Sequence, residues 1–227
     1  MKSKTAILIL SIAAYLAVKH FVPYGPLLLY PLILLVTFLH ELGHAVFALM
    51  SGGSVHGLQI NPDGSGHAQI GGGWIGLVSM GGYVGSALFG NLLLFIGLAK
   101  EKWARVAPVV LSAAFVYAAV WWYQRLFTSI VLFLFAGGWL WMSRRFLEKM
   151  AAALVFVGST SVLYIIEDIS SGPMSDLAVF TAQLPFLPLW VWAALWLLLV
   201  LMITTATVKR AFQAARTPAR KTHPPQK

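Results

Sequence analysis

The sequence predicts an all-α polytopic membrane protein with about six to seven transmembrane helices and a small β-hairpin after the second helix. Of its 227 residues, 59% are hydrophobic and only 10% are charged, and the mean hydropathy is +0.80. Soluble domains average roughly 45–50% apolar and about 25% charged residues. The charged residues are too few to cover a water-facing surface, so most of the chain is expected inside a lipid bilayer.

Seven apolar stretches approach the length of about 20 residues that a helix needs to cross a bilayer. They cover residues 5–22, 27–50, 74–98, 105–122, 126–143, 150–167 and 186–208. The fourth, fifth and sixth stretches are short, which is why the expected number is six to seven. The first stretch follows the basic start Met1–Lys4 and lacks a small-residue cleavage site, so we expect an uncleaved anchor rather than a signal peptide.

Two segments interrupt the helical pattern within a single transmembrane domain that covers residues 1–208. The glycine-rich segment 51–73 contains the string Asn-Pro-Asp-Gly at 61–64, a strong turn signal, and predicts a β-hairpin at the membrane surface. The segment 168–187 holds a Gly-Pro pair and further prolines, and predicts a ligand-bearing loop before the last helix. Residues 209–227 are basic and end in Pro-Pro-Gln-Lys, which predicts a disordered tail.

The net charge of +9 comes from 16 Lys and Arg residues against 7 Asp and Glu residues. Most of these basic residues stand between apolar stretches or in the tail, where such residues contact the head groups of anionic lipids. The expected partner is therefore the lipid bilayer and not nucleic acid. The absence of cysteine excludes disulfides, thiolate zinc sites and a cysteine nucleophile.

The second apolar stretch contains His40-Glu41-Leu42-Gly43-His44, an HExxH motif. Residues i and i+4 of a helix lie on one face, so the imidazoles of His40 and His44 are expected to bind one metal ion. Glu41 stands beside them, where a carboxylate acts on a metal-activated water instead of binding the metal. Polar groups inside a membrane are costly unless they face a cavity or a partner, and ionisable residues there usually have a function, which favours a zinc site over histidines that merely pack.

A catalytic zinc ion takes three protein ligands and one water, so a third ligand must come from elsewhere in the chain. Counting membrane crossings leaves four carboxylates on the face where the histidines lie: Asp63, Glu167, Asp168 and Asp176. Asp63 lies in a Pro-Asp-Gly turn that explains it without a metal. Glu167 and Asp168 are candidates for groups that orient a ligand. We choose Asp176, which lies where an interruption of the helical pattern leads into an apolar segment. Asp63 and Asp168 are the alternatives.

These residues resemble the site-2 protease clan of intramembrane zinc metalloproteases, and in particular its small bacterial branch of peptidase M50B-like proteins. The resemblance covers most of residues 27–196. It rests on the HExxH motif, the glycine-rich hairpin at 51–66, the string Gly-Gly-Tyr-Val-Gly at 81–85, the string Ser-Asp-Leu-Ala at 175–178, Pro185 and Trp190.

The resemblance implies one zinc ion per chain, bound by His40, His44 and Asp176, with Glu41 as general base and acid. Better-known branches carry the aspartate in Asn-Pro-Asp-Gly or Leu-Asp-Gly much further from the histidines, so the same letters at 61–64 stand in the wrong place. A Gly-Pro-x-x-Asn motif of relatives is altered here. Its asparagine corresponds to Asn91, which either contacts the substrate or an oxyanion, or packs between helices.

Two functions are expected from these features. The first is hydrolysis of peptide bonds in or near transmembrane segments of membrane proteins, with zinc and Glu41 activating a water, in a bacterial cytoplasmic membrane. The second is a zinc-binding membrane protein without proteolysis, such as a scaffold, a chaperone-like binder or a transporter. The intact Glu41 favours the first function, because metal binding alone does not require a carboxylate at that spacing.

Two arguments about the orientation of the chain disagree. Seven helices place the two ends of the chain on opposite faces of the membrane, and most Lys and Arg residues then fall on the face opposite the histidines. The positive-inside rule accordingly places the zinc site towards the outside. The resemblance implies instead a site that opens towards the cytoplasm.

Overall fold

A computed structural model describes residues 2–99, 101–168 and 175–216, and these residues are mostly helical. The helices are α1 (Lys2–Phe21), α2 (Gly25–Leu28), α3 (Tyr30–Met50), α4 (Ile75–Met80), α5 (Ser86–Ala99), α6 (Glu101–Trp121), α7 (Leu126–Arg145), α8 (Met150–Asp168), α9 (Asp176–Gln183) and α10 (Leu189–Arg216). A π-helical turn (Gly81–Gly85) joins α4 to α5, and a 3-10 turn (Leu147–Lys149) precedes α8. The strands β1 (Ser54–Ile60) and β2 (Gly66–Gly71) lie between α3 and α4.

Seven segments of the described chain are long and apolar enough to cross a membrane. They are Ser3–Phe21, Tyr30–Met50, Ile75–Ala99, Trp103–Trp121, Leu126–Arg145, Leu147–Ile166 and Leu189–Ala215. The third segment combines α4, the π-turn and α5 in one continuous helical rod. The predicted all-α membrane protein is therefore confirmed, and the three short apolar stretches in its middle are separate helices.

The outer edge of β1 is attached to the connection between α6 and α7. The Leu58 amide donates to the Trp122 carbonyl at 2.9 Å. The Thr128 hydroxyl accepts from the Ile60 amide at 3.0 Å and donates to the Ile60 carbonyl at 3.1 Å, much as a neighbouring strand does. On its other side, β1 pairs with β2 in an antiparallel hairpin, in which Ile60 stands opposite Gly66. Both edges of β1 are thus paired along this stretch.

The turn of the hairpin is the predicted Asn-Pro-Asp-Gly string. The Gly64 amide donates to the Asn61 carbonyl at 3.0 Å, and Gly64 adopts a φ of 89°, which glycine tolerates without strain. The Asp63 carboxylate accepts hydrogen bonds from the Ser65 hydroxyl at 2.7 Å and from the Ser65 amide at 2.9 Å. These bonds hold the pKa of Asp63 below its ordinary value. The carboxylate serves the turn, as its local sequence suggests.

Two segments differ from the sequence prediction. The loop predicted at 168–187 contains the helix α9, because Leu177 and Phe180 bury one side of it. The tail is predicted from residue 209, but residues 209–216 belong to α10, which continues to Arg216. Ala211 is fully buried in a cluster with residues of α5 and α8, so packing extends the helix past the last strongly apolar residues. The remaining tail residues lie outside the described part of the chain.

Helix α3 and the π-turn approach each other so closely that their backbones touch. A Cβ atom on Gly43, inside the HExxH motif, would overlap the Gly81 carbonyl. A Cβ atom on Gly85 would lie 2.7 Å from the Gly43 Cα. Small residues permit such contact between membrane helices. The contact places the π-turn directly beside the two histidines of α3.

Candidate metal centre

Three ligand atoms from two distant parts of the chain converge at one point. His40 Nε2 and His44 Nε2 lie 3.1 Å apart on successive turns of α3. Asp176 Oδ2 lies 2.9 Å from His40 Nε2 and 3.3 Å from His44 Nε2. Burial works to raise the pKa of Asp176, but hydrogen bonds with the two histidines outweigh it and hold that pKa well below its ordinary value. Within the described residues, these three side chains form the group that is positioned to bind a metal ion.

The triangle of ligand atoms fits a small tetrahedral ion. Zinc bonds of about 2.0–2.2 Å place neighbouring ligand atoms about 3.3–3.5 Å apart at tetrahedral angles. The edges of 2.9, 3.1 and 3.3 Å come close to this spacing. Two imidazoles and one carboxylate are also a donor set that zinc hydrolases use, with a fourth position left for water. The residues present therefore fit zinc.

Asp176 reaches the histidines from the N-terminus of α9. Ser175 caps this helix, since its Oγ accepts a hydrogen bond from the Ala178 amide at 3.2 Å. Further along α9, the buried Phe180 ring packs against Trp196 of α10 at a centroid distance of 5.1 Å. The cap and the aromatic contact fix the start of α9, and with it the carboxylate.

The segment formed by α4 and the π-turn orients both imidazoles. His44 Nδ1 donates to the Val78 carbonyl at 2.7 Å, which turns Nε2 towards Asp176 and makes it the ring nitrogen that can bind a metal. The His40 ring meets the buried Tyr83 ring edge to face, with centroids 5.1 Å apart. Each histidine is thus oriented by a neighbour on the same segment.

Glu41 is buried between α3 and the hairpin, beside the ligand group but not part of it. The backbone of Gly66 in β2 lies against its carboxylate, where a Cβ atom would be 2.5 Å from Glu41 Oε1. One helical turn earlier, the Thr37 hydroxyl donates to the Gly64 carbonyl at 2.6 Å. These contacts hold the hairpin against the part of α3 that carries Glu41.

A cavity of about 1110 Å³ contains the three ligands and Glu41. Residues of α3, β2, α4, α8 and α9 surround it, and the described residues that line it include no Lys or Arg. Its apolar lining includes Val36, Tyr83, Ile165 and Val179. A water molecule occupies roughly 30 Å³, so the cavity has room for water together with a segment of peptide.

The other candidate residues lie away from the ligand group or outside the described side chains. Asp63 is at the hairpin turn, bonded to Ser65. The Asn91 amide donates to the Ala87 carbonyl at 2.9 Å and to Thr204 of α10 at 3.0 Å, and Asn91 does not line the cavity. Glu167 and Asp168 end α8, and their side chains lie outside the described part of the structure. The contacts of Asn91 are those of a residue that packs between helices.

The sequence alone does not predict three groups beside the histidines: the Val78 carbonyl, the Tyr83 ring, and the backbone of Gly82, where a Cβ atom would lie 2.6 Å from His44 Nε2. A carbonyl has no sequence signature, and one buried tyrosine in a membrane helix resembles any other. The Gly-Gly pair at 81–82 is a detectable signal, but glycines also mark ordinary helix packing in membranes.

A protein-family model described as Peptidase M50B-like matches residues 7–207, which is most of the chain. The matched region contains α3, the hairpin, α4, the π-turn and α9, and therefore every element that contributes to the metal centre. No curated protein and no solved structure matches the chain.

Proposed function

Because the chain belongs to the peptidase M50B-like family, we propose that it is an intramembrane zinc metallopeptidase of the site-2 protease type. It hydrolyses peptide bonds in or near transmembrane segments of membrane proteins, in a bacterial cytoplasmic membrane. The observation that carries this proposal is the meeting of His40, His44 and Asp176 in one cavity with the buried carboxylate of Glu41.

His40, His44 and Asp176 would hold the zinc ion, which supplies a Lewis acid for the water and for the scissile carbonyl. The Val78 carbonyl keeps the proton of His44 on Nδ1, so that its Nε2 stays available as a ligand. The ionised Asp176 offsets part of the metal charge in a setting where an unpaired charge is costly.

Glu41 moves the proton during hydrolysis. Its carboxylate takes a proton from the attacking water while the water oxygen bonds to the carbonyl carbon. The same carboxylic acid then gives the proton to the leaving amide nitrogen as the carbon–nitrogen bond breaks, so one residue serves as base and acid. The packing of Gly66 against the carboxylate limits its movement between the two transfers.

The edge of β2 that faces away from β1 pairs with no other strand of the described residues, and it offers a place for the substrate. A transmembrane helix hides its peptide bonds, so the substrate unwinds before cleavage, and its exposed backbone groups need partners in a dry setting. The outer edge of β1 is bonded to Trp122 and Thr128, whereas β2 lines the cavity. An unwound segment adds to β2 as a strand, which satisfies its backbone and lays it beside the ligand group.

The apolar walls of the cavity fit the side chains of such a segment. Val36, Tyr83, Ile165 and Val179 suit aliphatic and aromatic residues, and the described lining carries no basic side chain that would recognise an acidic peptide. We therefore place the preferred cleavage position among apolar residues of the substrate.

Replacement of Glu41 by Gln tests the proposal. The purified chain is incubated with a library of apolar peptides of about 20 residues, the length of a membrane span, and products are identified by mass spectrometry. We expect the wild type to cleave, and E41Q to keep its zinc while its rate falls by about 10²–10⁴-fold, as for the loss of a general base.

The matched control is E148Q, because Glu148 is an exposed carboxylate in the 3-10 turn before α8. This variant should cleave at the wild-type rate. Cleavage by E41Q at the wild-type rate contradicts the role of Glu41. A wild type that binds zinc and leaves every peptide intact favours a zinc-binding protein without proteolysis.

A further inference from the structure

One residue at the metal centre takes no part in the hydrolysis proposed above: Gly82, the second residue of the π-turn. A Cβ atom on Gly82 would overlap His40 Nε2 and would lie 2.6 Å from both His40 Cε1 and His44 Nε2. Real Cβ atoms essentially never come within 3.0 Å of such neighbours. A side chain at this position therefore requires the imidazoles to move.

The environment of Gly82 differs from that of the other two glycines in the turn. The atoms nearest to a Cβ atom on Gly81 or Gly85 belong to Gly43 and Phe47, so these two glycines allow α3 and the turn to pack. The atoms nearest to a Cβ atom on Gly82 belong instead to the metal-binding ends of two ligands. Helix packing alone does not account for glycine at this position.

The shape of the turn explains how its backbone comes so near the ligands. A π-turn is wider than an α-helical turn and occurs frequently at functional sites. The Ser86 hydroxyl donates to the Gly82 carbonyl at 2.5 Å, which holds that carbonyl along the helix. The side of Gly82 that lacks a side chain faces His40 and His44.

We propose that Gly82 is a positioning residue, whose missing side chain lets both imidazoles stand with their Nε2 atoms facing one metal ion. Zinc lies about 2.0–2.1 Å from a histidine nitrogen. A Cβ atom 2.6 Å from both His40 Cε1 and His44 Nε2 would push the imidazoles out of the arrangement in which both Nε2 atoms can reach one ion at that distance. This inference rests on the metal site of the proposed function, and it does not depend on proteolysis.

The test compares zinc binding by G82A and by G138A. Gly138 lies in the membrane helix α7, and a Cβ atom there meets nothing within 4 Å, so G138A adds the same methyl group in open space. Zinc affinity of the purified full chain is measured by competition with a chromogenic chelator. We expect affinity to fall at least 100-fold in G82A, at or beyond the upper end of the roughly 10–100-fold typical of changes near metal ligands. G138A should stay within about threefold of the wild type, the scale of an ordinary exposed substitution.

Zinc binding by G82A within threefold of the wild type overturns the inference. A wild type that binds no zinc is a different failure, because it contradicts the metal site of the proposed function. If G82A does not fold, the variants H40A/H44A and H40A/H44A/G82A are compared by yield and thermal unfolding. With the imidazoles removed, the added methyl group has space, so the two variants should match. A triple variant that still fails to fold overturns the inference.

Discussion

Asp176 is the residue that turns a pair of histidines into a group positioned to bind a metal ion. His40 and His44 are neighbours on one helix and meet through local geometry alone, whereas Asp176 comes from a helix far along the chain. Its carboxylate stands 2.9 and 3.3 Å from the two Nε2 atoms, while Asp63 accepts hydrogen bonds within its own turn. Asp176 thus lies with the two histidines, whereas Asp63 stabilises the hairpin turn.

Replacement of Asp176 by Asn should weaken zinc binding at least 100-fold, because an amide keeps the shape of the carboxylate but loses its charge and its strength as a ligand. Isothermal titration of the purified protein with zinc measures this change. D63N is the control: Asp63 is an exposed carboxylate whose partners lie in its own turn, so its zinc affinity should equal that of the wild type. Weakened zinc binding in D63N together with wild-type affinity in D176N would identify Asp63 as the third ligand.

The ligands follow from the sequence more readily than the groups that orient them. The HExxH spacing places two imidazoles on one helix face, and counting membrane crossings keeps Asp176 on the same side as these histidines. The Val78 carbonyl and the backbone of Gly82 act through main-chain atoms, which every residue possesses. Their positions depend on how closely α3 and the π-turn pack, and that distance is set by the folded molecule.

At the scale of elements, the position of the hairpin depends on a side chain that makes the backbone hydrogen bonds a neighbouring strand would make. Thr128 is buried, and its hydroxyl bonds to both the amide and the carbonyl of Ile60. At the turn, the Thr37 hydroxyl donates to the Gly64 carbonyl and holds the hairpin against α3. The two threonines fix opposite sides of the hairpin and so set the position of β2 beside the cavity.

Replacement of Thr128 by Val should loosen the hairpin without removing the metal. The change leaves the buried amide and carbonyl of Ile60 without this partner, at a cost of about 1–3 kcal/mol in the free energy of unfolding. Hydrogen exchange at the Ile60 amide should become faster, and peptide cleavage slower, while zinc affinity stays constant. T128S keeps the hydroxyl and should behave as the wild type. Unchanged exchange in T128V would show that Thr128 does not hold β1.

The elements that hydropathy predicts are those whose stability comes from the bilayer. The hairpin turn has a different signal, because its Asn-Pro-Asp-Gly string has a local preference for a turn. All seven transmembrane segments belong to the class that hydropathy predicts. Helix α9 and the last two turns of α10 do not. They are short or basic segments, and they stay helical because Phe180 and Ala211 are buried against other helices.

At the scale of the whole molecule, seven crossings place the hairpin, the connection between α6 and α7, and Asp176 on one face of the membrane. The hydrogen bond from Leu58 of the hairpin to Trp122 of that connection requires this arrangement. The candidate metal centre is therefore assembled from segments that return to one side of the bilayer after every second helix.

The most direct test of the central claim is a zinc titration of the metal-stripped protein, followed by the rate of peptide cleavage. We expect the stripped chain to be inactive, and the rate to rise linearly until one zinc ion per chain is bound and then to stay constant. The ligand group of His40, His44 and Asp176 predicts this single equivalent. Full activity without zinc, or zinc binding that never restores cleavage, would contradict an intramembrane zinc peptidase.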